Sequence, residues 1–389
     1  MPHPSNQPLP GAPDPWVASD MPPFRARPPY LMTEMIAAEP ALAERLVHRL
    51  AADEVLGELA TAVRGAVADG RPVIATGCGT SEHAAMGLAA LLNEALELPA
   101  GREVRSLAAL EVLRLPPADG VLIGVSHEGG THVTNQALRA ARTSGARTSL
   151  VTVGGGSPGA EIAELVVTTG EQDQSWCHTV GYLSPLLVGV ALAARLAGRP
   201  ADAIATRAVL DVTDDPHAAA DIAAALAGTD RIMVTGAGPD LVSARELALK
   251  IAEGARQPAA AYELETVLHG HLAAATRWTG LVLLLTDTAP GPAASHVSER
   301  AARVLGAAKS LGVPAAAILA EPHGAAIPAE LTPAGRIVTP RTGRVGGIAG
   351  SLLGSAVALQ LLAERLARAR GVNPDTLGRE NAAQAAAHG

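Results

Sequence analysis

Aromatic residues are scarce in this 389-residue sequence, where they make up 2% as three Trp, three Tyr and one Phe. The hydrophobic share is nevertheless 48%. The core must therefore be built from Ala, Val, Leu and Ile. A chain of this length can bury enough of them to form two domains.

Lysines and cysteines are also few. Lys250 and Lys309 are the only lysines, the net charge is -8, and no basic run is interleaved with aromatic residues. These features argue against nucleic acid as a partner. The two cysteines, Cys78 and Cys177, cannot form a disulfide framework. We expect a cytoplasmic protein in which both thiols are free.

No apolar run reaches the length that spans a bilayer, so no membrane partner is expected. The opening MPHPSNQPLPGAPDPW lacks the basic and apolar regions of a signal peptide. Its proline content predicts a disordered leader over residues 1–30.

Short apolar runs alternate with helical segments in two halves of similar length. Helical periodicity follows the leader, with a break expected at Pro40, and long apolar helices are predicted at residues 179–196 and 347–369. The strand-like runs are PVIATG, GVLIGVS, TSLVTVG and AELVVTTG in the first half and DRIMVTG, TGLVLLLTD, VPAAAILA and GRIVTP in the second.

This alternation predicts the α/β class, as two doubly wound, flavodoxin-like domains with parallel sheets and a helical N-terminal segment. The predicted domains cover residues 31–200 and 201–370. A C-terminal tail, residues 371–389, follows them.

A glycine turn, GCGTS, follows the first predicted strand. Gly77 and Gly79 let the backbone turn sharply, and Thr80 and Ser81 open the next helix. Hydroxyls and backbone N–H groups at a helix start can bind an oxyanion. An ordinary N-cap explains the same residues equally well.

A second turn, SHEGGT from Ser126 to Thr131, has the same outline of strand, glycines and helix. Ligands of open α/β sheets bind at the carboxyl ends of strands, where both turns lie. However, His127 and Glu128 occupy the middle of this turn, and a carboxylate there would repel a phosphate. The second half begins with a similar turn at Gly236-Ala237-Gly238.

The two turns together resemble the sugar-isomerase (SIS) domain pattern, whose usual forms are close to GCGTS and SQSGET. The segment ARELALKIAEGARQPAAAYELETVLHG and the tail motif NPDTL are similar to the isomerase part of glucosamine-6-phosphate synthase and to two-domain phosphosugar isomerases and deaminases. The likeness covers roughly residues 31–379. It implies a tandem SIS protein whose tail contributes to the active site.

Three charged residues, Glu246, Lys250 and Glu253, repeat at helical spacing and share one face. By itself this pattern is most simply a solvated face with ion pairs. The resemblance implies that Glu253 is the base that moves the sugar proton and that Lys250 accompanies it. It further implies that His269 opens the sugar ring from the partner subunit, which predicts a homodimer.

A metal site is a minor alternative. His269 and His271 share a side of an extended segment, and such a pair can bind a metal ion. The family generally needs no metal for isomerisation, so we expect no cofactor.

Several positions depart from the family pattern. Glu128 replaces a phosphate-binding serine, Trp176 stands among residues that are usually small, and Arg379 stands where the tail usually carries a lysine. Glu171 is retained. Compensation for Glu128 can come from a protonated histidine, for which His127, His132 and His178 are the candidates. Alternatively, the ligand carries no phosphate at this position.

The sequence therefore predicts an aldose–ketose isomerase or an amino-sugar deaminase/isomerase that acts on a sugar or sugar phosphate and has no glutaminase domain. Glu253, His269 and Lys250 are the predicted catalytic residues. The predicted substrate-binding residues are Gly79, Thr80, Ser81, Ser126, His127, Glu128, Thr131, Glu171, Trp176 and Arg379. The alternatives are a non-catalytic sugar sensor and a metal-dependent enzyme for an unphosphorylated amino substrate.

Overall fold

The computed structural model describes residues 22–211, 217–291, 294–339 and 343–387. The predicted disordered leader lies outside the described residues from position 1 to 21. The described chain forms two compact units. The first contains Ala38–Asp173 and Val180–Arg207, and the second contains Pro23–Ala37, Gln174–Thr179 and the chain from Ala208 onward.

The first unit is a parallel sheet of five strands in the order β2-β1-β3-β4-β5 with helices between the strands. The first residues of α1, up to Ala37, belong to the second unit. The elements up to α7 are α1 (Leu31–Leu50), α2 (Glu54–Ala68), β1 (Val73–Gly77), α3 (Thr80–Leu96), β2 (Arg105–Ala108), α4 (Ala109–Arg114), β3 (Val121–Val125), α5 (His132–Ser144), β4 (Arg147–Thr152), β5 (Leu165–Thr168), α6 (Val180–Leu196) and α7 (Ala203–Leu210).

The second unit is also a parallel sheet of five strands, in the order β7-β6-β8-β9-β10. Its elements are α8 (Ala218–Leu226), β6 (Arg231–Gly236), α9 (Pro239–Gly254), β7 (Ala259–Glu263), α10 (Leu264–Leu268), β8 (Thr279–Leu285), α11 (Ala294–Ser310), β9 (Ala315–Ala320), β10 (Gly335–Thr339), α12 (Gly347–Ala369) and α13 (Ala382–Ala387).

Both sheets have the same order of strands when each is numbered from its own start, and this is the flavodoxin-like order. The predicted fold class is confirmed. Because the strands are parallel and covered on both faces, their central members are continuous apolar runs, such as β3 and β8, in which every residue is buried.

The predicted break at Pro40 is wrong, because α1 runs through this residue. The residues on both sides of Pro40, including Ile36 and Ala41, are buried. Burial of this apolar face stabilises the helix enough to offset the hydrogen bond that proline removes.

One helix of the described residues, α12, is long and apolar enough to cross a membrane by length and composition. However, 78% of its apolar window is buried inside the fold. A core helix of a folded domain has the same properties.

Candidate active site

The glycine turn after β1 brings the start of α3 very close to the strand. A Cβ on Gly77 would lie 2.5 Å from the backbone oxygen of Ser81, so only glycine fits there. Gly79 has φ 58° and forms the N-cap of α3 without a side-chain hydrogen bond. Thr80 and Ser81 are therefore in the first turn of the helix rather than at its N-cap, and both are buried.

The turn after β3 is held by hydroxyl groups. The Ser126 hydroxyl donates to Thr131 Oγ1 at 3.1 Å, and Thr131 is the N-cap residue of α5 but makes no side-chain capping bond. Gly129 has φ 69°, and a Cβ there would lie 2.0 Å from the Ser157 hydroxyl oxygen. The turn is therefore fixed by close packing, and two of its predicted ligand-binding hydroxyls lie side by side.

His127 is buried in this turn and does not supply a positive charge. Its Nε2 accepts a hydrogen bond from the backbone N–H of Asp173 at 2.9 Å. Burial lowers the pKa of His127 to about 4. Of the three candidate histidines, His127 is therefore neutral near pH 7, whereas compensation of Glu128 by His132 or His178 stays a prediction.

The carboxylates near this turn differ in their partners. Glu128 is exposed, and Gln172 Nε2 donates to it at 3.5 Å. Glu171 is instead paired with Arg45, which donates to both of its carboxylate oxygens at 2.9 Å. A ligand that binds Glu171 would therefore compete with Arg45 for its carboxylate oxygens.

The glycine turn after β6 has the same backbone form as the one after β1, since Gly238 has φ 56°. Here, however, the first turn of the helix carries Asp240, which is buried. Its carboxylate accepts hydrogen bonds from the backbone N–H groups of Thr286 at 2.8 Å and Asp287 at 3.1 Å. Burial raises the pKa of Asp240, against the effect of these bonds. The carboxylate of Asp240 thus joins the first turn of α9 to the residues that follow β8.

The charged residues of α9 form a buried cluster. Lys250 Nζ lies 2.7 Å from Glu253 Oε2 and 3.4 Å from Glu246 Oε1. Lys250 and Glu246 are fully buried, whereas 26% of the Glu253 side chain is exposed. Burial alone would lower the pKa of Lys250, but the two carboxylates raise it above its usual value. The pattern is therefore not a solvated face, and Glu253 is its accessible end.

The two histidines after α10 have different neighbours. His269 ends α10, its side chain is 76% exposed, and its Nε2 lies 3.2 Å from Glu265 Oε2. His271 stacks on Tyr262, with ring centroids 3.8 Å apart. In the described ranges, no three His, Cys, Asp or Glu side chains are grouped so that they could hold a metal ion. Within one chain, Glu253 pairs with Lys250 and His269 with Glu265.

Trp176 and Arg379 are 203 positions apart in the sequence (379 minus 176), but they are in contact. The Arg379 guanidinium carbon lies 4.2 Å from the centroid of the Trp176 ring. Phe24 packs edge-on against the same ring at 5.0 Å. The structure thus joins two predicted binding residues that the sequence could not place together.

Part of the chain matches a known protein family. The SIS domain family matches residues 67–195. This part of the chain is therefore similar to SIS domains.

Curated relatives extend this assignment. The chain is 29% identical over 254 residues to a glutamine–fructose-6-phosphate aminotransferase (isomerizing) from Halobacterium salinarum, an alignment that covers 60% of this chain and 42% of the relative. The chain thus spans less than half the length of the curated relative that it matches. The predicted resemblance to the isomerase part of such proteins is confirmed.

Solved structures share the fold over most of the chain. The C-terminal domain of glucosamine-fructose-6-phosphate aminotransferase from Francisella tularensis superposes with a TM-score of 0.73 at 16% identity, covering 89% of this chain and 98% of the other. Tagatose-6-phosphate ketose/aldose isomerase from Escherichia coli gives a TM-score of 0.68 at 16% identity, covering 92% and 98%.

Sequence reasoning missed three residues whose contacts the structure shows. Asp240 was not singled out, although a carboxylate in the first turn of a helix is a recognisable signal. Cys177 lies with its sulfur 4.0 Å from the backbone oxygen of Lys250, and Arg45 pairs with Glu171. Neither of these contacts has a signal in the sequence, because each joins distant positions.

Proposed function

We propose that the protein is an aldose–ketose isomerase or an amino-sugar deaminase/isomerase that acts on a sugar or sugar phosphate through an enediol or enolamine intermediate. The SIS assignment supports the class of reaction. The observation that carries the proposal is the α9 cluster, in which the carboxylate of Glu253 is fixed by a buried ammonium group and is still partly exposed.

Glu253 acts as the base in this proposal. Its carboxylate takes the proton from C2 of an open-chain aldose, the electron pair of that C–H bond forms the C1=C2 double bond, and the pair of the C1 carbonyl bond moves onto O1. Glu253 returns the proton to C1, O1 gains a proton and O2 loses one, which gives the ketose. Lys250, 2.7 Å away, holds Glu253 in place and offsets the charge that develops.

His269 is the proposed ring-opening group. Its high exposure and its position after α10 leave it accessible to a second copy of the chain. We propose a cytoplasmic homodimer in which His269 serves the partner's site. The hydroxyl-bearing turns of the first unit, with Thr80, Ser81, Ser126 and Thr131, are proposed to hold the sugar's terminal group.

Deuterium exchange tests the proposal. Fructose 6-phosphate, tagatose 6-phosphate and unphosphorylated fructose are held with the protein in deuterated water, and incorporation at C1 and C2 is followed by NMR. The wild type should incorporate deuterium and Glu253→Gln should not. The control Glu330→Gln removes an exposed carboxylate of the second unit and should leave exchange unchanged. No exchange with any sugar by the wild type would contradict the proposal.

Subunit complementation tests the shared site. Glu253→Gln and His269→Asn are each expected to be inactive alone. Mixing the unfolded variants and refolding them together should restore about a quarter of the wild-type rate, because half of the dimers then contain one intact site. No recovery would place His269 in its own subunit's site or outside catalysis.

A non-catalytic sugar sensor is the second candidate. One observation favours it: exposed Glu128 stands in the turn where the family binds phosphate. A sensor would bind a sugar in calorimetry and give no deuterium incorporation in the same samples.

A further inference from the structure

A cavity of about 220 Å³ opens at the amino-terminal edge of the first unit's sheet. It lies where β1 and β2 begin, because Arg105, the first residue of β2, is paired with Ile74 of β1. Arg71, Arg102 and Arg105 line this arginine cavity together with one carboxylate, that of Glu103. In a chain with a net charge of -8, three guanidinium groups around one cavity are a local concentration of positive charge.

The arginine cavity is separate from the candidate sugar site. The glycine turn of that site follows the other end of β1. At a rise of about 3.3 Å per residue, the two ends of β1, Val73 and Gly77, are about 13 Å apart. A phosphate group that binds at the turns after β1 and β3 therefore cannot also contact these arginines.

Two of the three guanidinium groups are held in place by the chain. Arg102 Nη2 donates to the carbonyl oxygen of Val67 in the last turn of α2. Arg71 Nη2 donates to the carboxylate of Asp69. Each contact uses one nitrogen of a group that has five N–H donors. Because these side chains are already ordered, an anion that uses their remaining donors costs little further conformational entropy.

Arg105 is the member of the set that the chain leaves unused. Its side chain is exposed, and no hydrogen bond or ion pair engages its guanidinium among the residues that the structure describes. The carboxylate that lines the cavity does not neutralise it. Instead, Glu103 Oε1 accepts the backbone N–H of Gly101 at 2.8 Å.

The second unit indicates that the fold does not require these arginines. Its strand order is the same, so β6 and β7 correspond to β1 and β2. A cavity of about 170 Å³ lies at the matching place, and the first residues of β6 and β7, Arg231 and Ala259, line it. Arg231 is the one arginine in this lining, and its guanidinium donates to the carbonyl oxygen of Ala274. The additional arginines of the first unit therefore point to a role in binding.

The charge of the arginine cavity matches a phosphate-bearing anion. The three arginines and Glu103 leave its lining with two net positive charges. A phosphate group carries up to two negative charges near neutral pH and has three strong acceptor oxygens. Guanidinium groups bind such oxygens through parallel pairs of charge-assisted hydrogen bonds.

We propose that the arginine cavity is a second ligand site, which binds a compact phosphate-bearing anion through Arg71, Arg102 and Arg105. Arg71 and Arg102 form the fixed part of the site, and Arg105 supplies the third cation. This site is independent of the sugar chemistry proposed for Glu253, because it lies at the opposite edge of the first unit's sheet from the sugar-binding turns.

Calorimetry at low ionic strength tests the proposal with inorganic phosphate, inorganic pyrophosphate and glycerol 3-phosphate. The double variant Ser126→Ala/Thr131→Val is the background, because it removes the hydroxyls of the turn after β3 and leaves the arginine cavity intact. This background should bind at least one of the three probes, and added salt should weaken the binding. Adding Arg105→Gln should weaken it by about tenfold or more.

A matched control comes from the second unit. Arg231→Gln removes the arginine of the corresponding cavity and should leave the affinity of the background unchanged. Because the Arg105 guanidinium has no partner among the described residues, Arg105→Gln should also keep the melting temperature measured without ligand, which separates lost binding from lost folding.

Two results would overturn the inference. One is no binding of any of the three probes by the background variant. The other is an equal loss of affinity in Arg105→Gln and Arg231→Gln, which would indicate non-specific attraction to positive charge. Tighter binding of glycerol 3-phosphate than of the inorganic ions would support the site and identify a phosphate ester as its ligand, whereas the reverse order would support a site for the free ion.

Discussion

The two units use the same glycine turn for different purposes. Gly79 and Gly238 have almost the same backbone angles, with φ and ψ of 58° and -129° in one and 56° and -130° in the other. In the first unit the following residues are Thr80 and Ser81. In the second they are Pro239 and Asp240, and the carboxylate of Asp240 accepts hydrogen bonds from the backbone after β8.

The polar residues also lie at opposite ends of the helices α3 and α9, which follow these turns. In α3 the polar groups lie at the start, and its later turns bury Leu88, Leu91 and Leu92. In α9 the start is closed by Asp240, and the charged cluster ends at Glu253 in the last turn. In the proposed function, the same fold carries a binding turn in one copy and a reactive helix end in the other, and fold alone does not locate function.

The largest effect should come from breaking the α9 cluster. Lys250→Met leaves two carboxylates without their cation, one of them fully buried, and should lower the free energy of unfolding by about 3–5 kcal/mol. Chemical denaturation measures this. Lys309, the other lysine, is exposed on α11, so Lys309→Met should change stability by less than about 0.5 kcal/mol. Equal effects would show that the cluster does not support α9.

The next largest effect is the pH dependence of the stability that His127 gives to the first unit. Because the pKa of His127 falls from 6.5 to about 4 in the fold, the unfolded chain binds more protons between these values. Stability should therefore decrease by about 3 kcal/mol as the pH falls from 6.5 to 4. His127→Gln should remove this part of the pH profile in thermal denaturation.

Asp240 should give the opposite slope in the second unit. Its raised pKa means that the folded chain holds a proton that the unfolded chain has released, so its contribution is lost as the pH rises above 3.8. Asp240→Asn, which keeps an acceptor for the N–H groups, should flatten that decline. If both variants shift the profile in the same direction, the contrast between the units is wrong.

The shared turn itself should tolerate no side chain in either copy. Gly77→Ala and Gly236→Ala would place a Cβ 2.5 Å from Ser81 and 2.8 Å from Asp240, and each should lower stability by about 1–3 kcal/mol. Gly65→Ala and Gly306→Ala, in helices with open space, should stabilise by up to about 1 kcal/mol. A neutral Gly236→Ala would show that the two turns are not equivalent.

The smallest effect concerns Glu128. Glu128→Ser removes a negative charge from the first unit's second turn and should tighten binding of a sugar phosphate by about tenfold, with little change for the unphosphorylated sugar. Glu330→Ser removes one negative charge from the second unit and should leave the binding of both sugars unchanged. Unchanged binding in Glu128→Ser would mean that the phosphate does not approach this turn.

The sequence predicted the buried strands and the edge strands β5 and β10, but it missed one edge strand of each sheet. Central strands such as β3 and β8 are continuous apolar runs, and α12 was predicted with its bounds. The missed strands β2 and β7, with the sequences RSLA and AAAYE, have no fully buried residue and no run of large apolar residues. Burial on both faces creates the pattern that a reader of the sequence can detect.

The same limit applies to the candidate site. The spacing of Glu246, Lys250 and Glu253 put them on one helical face, which the structure shows, but their burial depends on the residues packed around α9. Likewise, spacing could not reveal that Arg45 forms an ion pair with Glu171 or that the Arg379 guanidinium packs on the Trp176 ring. Local spacing predicts helical neighbours, and contacts between distant positions require the fold.

The central claim is a division of labour between a turn that binds and a carboxylate that reacts. It is tested most directly by measuring sugar affinity and the rate of deuterium exchange side by side in Ser126→Ala and Glu253→Gln. We predict that Ser126→Ala weakens affinity and retains exchange at saturating sugar, whereas Glu253→Gln retains affinity and loses exchange. Exchange that survives in Glu253→Gln would contradict the account.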